Sequence, residues 1–324
     1  MTVAFTGQEM AFRPGEAVAE VERLLGRLRE AVRGTRRKGV VVGISGGIDS
    51  SVVAALCARA FGAASVLGLT MHEDESSDDT RRLAQLLIDH LGIATADEPI
   101  SRLLEAAGCY ARRVAAIRSV VPDYGDGWKC KLVLPSVVDT EQLRISTVVA
   151  HAPDGREVRA RLPADAYLQV VAATSFKQRT RKMIEYYHAD RLHYAVAGTP
   201  NRLEYELGFF VKNGDGAADV KPIAHLYKTQ VYQLAELLGI PAEIRARPPT
   251  TDTYSLPQSQ EEFYFSLPYQ RMDACLWACD HEVPAEQVAG ALDLSPSQVE
   301  RVYRDIAAKR AVARHLHAAP VRLG

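Results

Sequence analysis

Residues 45–51 read SGGIDSS, so seven consecutive positions hold two glycines, three hydroxyls and one carboxylate. Gly46 and Gly47 would let backbone N–H groups close on a phosphate with no Cβ in the way. Ser45, Ser50 and Ser51 add hydroxyl donors. Asp49 is the informative residue, because a carboxylate beside a phosphate makes chemical sense chiefly when it holds Mg²⁺ bridging to that phosphate. The run follows VVVGI at 40–44, giving a β-branched strand, a glycine turn and a helix start in succession. Such a turn aims converging N–H groups at an anion on the positive end of a helix. The candidate nucleotide loop is therefore Gly43, Ile44, Ser45, Gly46, Gly47, Ile48, Asp49 and Ser50. It has no Lys before its serines, as a Walker A loop would, and no G-x-G-x-x-G dinucleotide fingerprint. The plain alternative is a Ser/Gly-rich helix cap without a ligand.

A second group of charged and hydroxyl residues lies far along the chain. Residues 198–230 read GTPNRLEYELGFFVKNGDGAADVKPIAHLYKTQ, preceded by FKQRTRKM at 176–183 and followed by PPTTDTY at 248–254. Taken singly these residues say little. Arg179 and Lys212 would be solvated charges, Glu204 an exposed helix-start residue, and Thr199 the cap of a helix beginning near Asn201. Their joint spacing carries the information.

The elements that must position these groups alternate. An amphipathic helix over 16–33, the strand at 40–44, a helix after the loop, a strand at 65–71 and a helix through Leu83, Leu86 and Leu87 come first. A strand near 95–100 and a helix from about 102 to 118 follow. Strands alternating with helices argue a doubly wound α/β fold around a parallel sheet. The pattern breaks between about 120 and 165, where KCKLVLP and LRISTVVAHAPDGREVRARLP flank the turn Asp154-Gly155 and predict an inserted β-hairpin. It resumes with a helix over about 166–189 and the strand HYAVAG at 193–198. Helices at about 228–238, 268–280, 284–292 and 296–315 close the chain. We read residues 1–324 as one domain with an insertion at about 120–165 and a helical C-terminal region at 268–315.

Composition narrows the class. A formal net charge of -1, with 47% hydrophobic and 24% charged residues, describes an ordinary soluble chain with no global attraction to nucleic acid or acidic membranes. No apolar run reaches the ~18 residues of a membrane span, and no secretory leader is visible. Five cysteines lack the spacing of a disulfide framework or zinc site. The expected compartment is the reducing cytoplasm, with no nucleic-acid or membrane partner.

The S-G-G-x-D-S run resembles the pyrophosphate loop of N-type ATP pyrophosphatases, which cleave ATP between the α- and β-phosphates. Within that group the second block is similar to the ammonia-dependent NAD⁺ synthetases: G-T-x-N-x-x-E, then G-[YF]-F-x-K-x-G-D-G, an Asp, and L-Y-K-T-Q, with a K-x-R-x-R-M helix upstream. The resemblance spans roughly residues 16–315 apart from the insertion. It implies an adenine nucleotide alpha hydrolase-like, Rossmann-like fold and a homodimer. It further implies ATP-dependent amidation of deamido-NAD⁺ by ammonia through an acyl-adenylate, releasing AMP and pyrophosphate. Carried over by position, ATP contacts fall on the loop and on Thr199, Lys228 and Thr250, with Asp49 and Lys228 in catalytic roles. Mg²⁺ falls on Asp49 and Glu204, and deamido-NAD⁺ on Arg179, Lys212 and Asp219. With the phosphate loop beginning near residue 40, the expectation is that no glutaminase precedes it, so ammonia arrives free or from a separate donor protein.

Several positions depart from the pattern. Val211 stands where Thr usually precedes the Lys, Asn213 replaces an aromatic, and the segment at 250–269 is longer and more aromatic. The terminal H-K-R run is represented at best by Lys309 and Arg310. These departures keep a second reading open, an adenylate-forming amide synthetase for another carboxylate. A helix-turn-helix reading of 283–306 lacks a basic stripe, and a tRNA-thiolating enzyme would need a reactive cysteine that the sequence does not offer.

Overall fold

A computed structural model describes residues 5–139, 146–251 and 253–323. Part of the second β-rich run predicted for the insertion, residues 143–145, and Asp252 of the PPTTDTY stretch lie outside the described residues.

The chain opens with helix α1 (Glu16–Gly34), strand β1 (Val40–Gly43) and helix α2 (Ile48–Phe61). Strand β2 (Val66–Thr70), helix α3 (Asp78–Leu91) and strand β3 (Ala94–Asp97) repeat the alternation. Helices α4 (Ser101–Ala106) and α5 (Cys109–Arg118) lead to strands β4 (Lys129–Val133), β5 (Thr147–His151) and β6 (Glu157–Arg161). The long helix α6 (Ala164–Leu192), strand β7 (Ala195–Ala197) and helices α7 (Arg202–Leu207), α8 (Lys228–Leu237) and α9 (Ala242–Ala246) follow. A short π-helical turn, Glu261–Phe265, precedes α10 (Tyr269–Asp280), α11 (Ala285–Leu292) and α12 (Pro296–His317).

The main sheet has the order β3-β2-β1-β7 and every pairing is parallel. Residues of β1 alternate between two cores, as strand geometry requires. Val40 and Val42 pack among α1, α2 and α8, while Val41 packs on the opposite face with Ile184 of α6. The chain leaves β1 toward β2 on one side and later returns as β7 on the other. The carboxyl end of β1 is thus the switch point at which open α/β sheets bind ligands.

Two sequence expectations change in the structure. The helix expected over about 102–118 is broken at Gly108, whose φ of 73° is left-handed, and becomes α4 and α5. The insertion holds more than a hairpin. β5 and β6 form the expected pair around Asp154-Gly155, and β4 joins the far side of β5 to complete a three-stranded antiparallel sheet. Its apolar face packs with α5 and α6 in a core of its own, including Leu132, Val148, Ile117 and Val170. Burial on that face requires a second surface, and α6 provides it.

Candidate active site

Past β1 the chain must turn sharply into α2, and the two glycines divide that work. Gly46 has φ 67°, and a Cβ there would lie 2.7 Å from the Thr80 carbonyl oxygen and 3.1 Å from Leu83 Cβ. Its absent side chain is required by the close approach of α3, a reason that the sequence did not show. Gly47 instead borders the cavity and stands as the residue before α2. The serines also differ. Ser45 Oγ and Ser50 Oγ lie 3.1 Å apart beside the cavity, whereas the fully buried Ser51 donates its hydroxyl to the Gly47 carbonyl at 2.8 Å. Ser51 therefore supports the turn and is not a free donor.

The loop opens onto a cavity of about 470 Å³. Of the sequence-derived candidates, Gly43, Ile44, Ser45, Gly47, Ile48, Asp49, Ser50, Thr199, Glu204, Lys228 and Thr250 line it. Lys228, at the first turn of α8, forms an ion pair with Asp49 Oδ2 and has only 2% of its surface exposed. The Asp49 and Glu204 carboxylates beside it hold its ammonium strongly protonated despite burial. The Asn201 side-chain amide donates to Asp49 Oδ1 at 3.1 Å, while its side-chain oxygen accepts from the Glu204 N–H at 3.2 Å. Its own N–H donates to Glu204 Oε2 at 3.2 Å, closing a capping box at the start of α7. Glu204 is thus both a helix-start residue, as its bland reading has it, and a site carboxylate. Gln260 Nε2 donates to its other oxygen at 3.0 Å. Dense packing and the like charge of Asp49 push the Glu204 carboxyl up to about 8.

Two recessed carboxylates, with the charge of Asp49 helping to raise the proton affinity of Glu204, make a place where a cation is favoured. Two hard oxygen donors facing a phosphate loop suit Mg²⁺, which takes one or two carboxylates and fills its remaining positions with phosphate and water. The donor set therefore fits Mg²⁺.

The remaining candidates are not brought into this cavity. Arg179 is exposed and donates to the Lys212 carbonyl at 3.3 Å. Lys212 Nζ donates to the His315 and Ala318 carbonyls at 2.8 and 3.2 Å, at the C-terminal end of α12. The exposed Asp219 accepts from the Val196 N–H at 2.7 Å, beside the last strand of the sheet. Lys309 pairs with Asp305 at 2.6 Å and donates to the carbonyl of the cavity-lining Tyr264 at 2.7 Å, while Arg310 pairs with Glu206 and Asp280 at 2.5 and 2.7 Å; neither Lys309 nor Arg310 itself lines the cavity.

Sequence reasoning passed over several residues. Asp273 of α10 is fully buried and accepts from Lys228 N, Thr229 N and Thr229 Oγ1 at 3.2, 2.7 and 2.7 Å. It fixes the helix end that aims Lys228, and burial pushes its carboxyl up to about 6. Lys177 is 1% exposed and reaches Glu73 at 2.7 Å, Glu75 at 2.5 Å and the Thr253 carbonyl at 3.0 Å, tying two cavity-lining segments together. The Glu73 and Glu75 signal was available in the acidic run at 73–79. No sequence spacing links either to Lys177.

A parallel sheet with a glycine loop at its switch point, two facing carboxylates and a buried lysine is the architecture of an α/β enzyme. The NAD synthase family model matches residues 20–116 and 137–314, and the chain belongs to that family. It is 59% identical over 307 residues to the NH3-dependent NAD⁺ synthetase of Mesorhizobium japonicum, covering 94% of this chain and 96% of that protein. Among solved structures it resembles NMN synthetase from Francisella tularensis, with a TM-score of 0.65, 23% identity and coverage of 96% and 98% of the two chains. NH3-dependent NAD synthetase from Campylobacter jejuni gives a TM-score of 0.62 at 21% identity, with coverage of 95% and 99%. These structural likenesses show the fold.

Proposed function

We propose that this protein amidates deamido-NAD⁺ to NAD⁺ with ammonia and ATP, releasing AMP and pyrophosphate. Family membership supports the reaction class, and the convergence of Asp49, Glu204 and Lys228 on the phosphate loop is the observation that carries it. A carboxylate offers ammonia no leaving group at neutral pH, and transfer of AMP to the nicotinate oxygen supplies one. The loop N–H groups and the α2 N-terminus hold the phosphates. The Lys228 ammonium, fixed by Asp273 at its backbone, faces the charge that grows on departing pyrophosphate. Mg²⁺ held by Asp49 and Glu204 would neutralise the phosphate oxygens in the same step. Thr199 and Thr250 sit at the cavity edge as further ATP contacts.

Arg179, Lys212 and Asp219 form the deamido-NAD⁺ end in this reading, the cations meeting its diphosphate and acid and Asp219 a ribose hydroxyl. Their position at the surface favours completion of that end by a second copy, hence a homodimer. Residues 1–324 act as one domain. Among the described residues no helix is long and apolar enough to cross a membrane, in keeping with a cytoplasmic enzyme.

The test is direct: purified protein with deamido-NAD⁺, ATP, Mg²⁺ and ammonium should yield AMP, pyrophosphate and NAD⁺ in equal amounts. Release of ADP and phosphate instead would overturn it. One observation favours a related acceptor. Residues 117–136 lie outside the family match, yet Leu132 and Leu134 line the cavity. Faster AMP formation with nicotinate mononucleotide or another acid than with deamido-NAD⁺ would select that alternative.

A further inference from the structure

At the inner end of the cavity, next to the start of the phosphate loop, sits a buried ionic group that the roles above leave unused. Glu185 of α6 lines the cavity, and its Oε1 lies 3.1 Å from where a Cβ on Gly43 would stand. Lys182, one turn earlier and 5% exposed, pairs with Glu185 Oε2 at 2.5 Å. Neither residue is needed to build the helix. Burying such a pair costs several kcal/mol per ion before pairing, and an apolar pair of similar volume is often as stable. Only Lys182 is engaged with Oε2, which leaves Oε1 directed toward Gly43.

We propose that Glu185 is the proton acceptor for the amination step, with Lys182 as the positioning residue that orients its carboxylate. The inference rests on the amidation reading. In the step, the ammonia lone pair forms the C–N bond at the acyl-adenylate carbonyl. The bond from that carbon to the AMP oxygen breaks with its electron pair leaving on AMP. One proton passes from nitrogen to Glu185 Oε1 and then to solvent. Every charged group facing Glu185 acts on its readiness. Burial and the recessed Asp215 carboxylate raise its proton affinity, while Lys182 and Arg181 lower it, and the net effect is upward. Asp215 itself lines the cavity, accepts from the Val211 N–H at 2.7 Å and is also raised by burial. A carboxylate of raised basicity is a better acceptor near neutral pH than an ordinary surface one.

The two half-reactions separate this role from a structural one. Glu185→Gln, and the double variant Lys182→Met/Glu185→Leu, which leaves no unpaired buried ion, are assayed with the wild type. The expected result is pyrophosphate exchange into ATP, driven by deamido-NAD⁺, within about threefold of wild type in both. Ammonia-dependent kcat should fall on the order of 100-fold. The acid limb of the wild-type profile should flatten, and hydroxylamine, unprotonated at neutral pH, should recover much of the rate. Equal loss of both half-reactions, or ammonia kinetics and pH profile unchanged in both variants, would overturn the assignment. Absence of deamido-NAD⁺-driven exchange in the wild type would instead sink the amidation reading itself.

Discussion

The two ends of the proposed site are built differently. At the nucleotide end, groups from α2, α7, α8 and α10 meet through buried contacts: Lys228 on Asp49, Asn201 on Asp49 and Glu204, and Asp273 on the α8 amides. At the acceptor end, Arg179, Lys212 and Asp219 are spread over the surface and bond mainly to backbone. The first end is complete within one chain because its charges are recessed and must satisfy one another. The second keeps its charges where water can hold them until a ligand or partner arrives. A site that cleaves a phosphoanhydride benefits from fixed dipoles, whereas one that admits a large dinucleotide must stay open.

Substitutions ranked by expected effect would break or sharpen this contrast. Asp49→Asn should lower steady-state NAD⁺ formation on the order of 1000-fold, several kcal/mol of barrier, because the proposed cation site loses a charge. Activity within tenfold of wild type would place the cation elsewhere. Lys228→Met strands Asp49 and Glu204 in their recess, and urea unfolding should show a loss of about 3 kcal/mol, the range for breaking a buried pair. The Asp273 carboxyl binds its proton more tightly folded than unfolded, so unfolding free energy should fall as pH rises from about 4 to about 6. Asp273→Asn should flatten that stretch by on the order of 2 kcal/mol, read from urea titrations at successive pH values. Lys212→Ala should raise the deamido-NAD⁺ KM about tenfold, near 1.4 kcal/mol, and leave the ATP KM unchanged. A matching rise in the ATP KM would dissolve the division between the ends. At the inserted sheet, Lys131→Met removes a partly exposed 2.6 Å pair with Glu262 and should cost under about 1 kcal/mol of stability.

The legible parts of the sequence were local. The strand, glycine turn and helix at 40–61 appear where their pattern places them, because a β-branched run, two adjacent glycines and a helix start act over a few residues. Gly46 was legible as a special position but not its reason, since the atoms that exclude a Cβ belong to α3, more than thirty residues on. β4 falls on the β-rich run KCKLVLP read from the sequence, but its place as the third strand of a sheet was not legible, for a related cause. β4 has ordinary strand composition, and only its pairing with β5 and its contacts with 253–262 distinguish it. Leu256 N donates to the Cys130 carbonyl at 3.0 Å, and Ser255 Oγ accepts from Cys130 N at 2.9 Å.

By itself the order of residues determined the alternating architecture, the glycine turn after β1 and the family of the chain, since periodicity and motif spacing are properties of short stretches. Only the folded chain decided that Asp49, Glu204 and Lys228 share one recess while Arg179, Lys212 and Asp219 do not. It likewise selected Asn201 and Asp273 as their neighbours and set Lys177 and Glu185 along the same cavity. Those choices depend on which distant side chains lose their water together, and a buried charge must find its partner wherever the backbone happens to bring one.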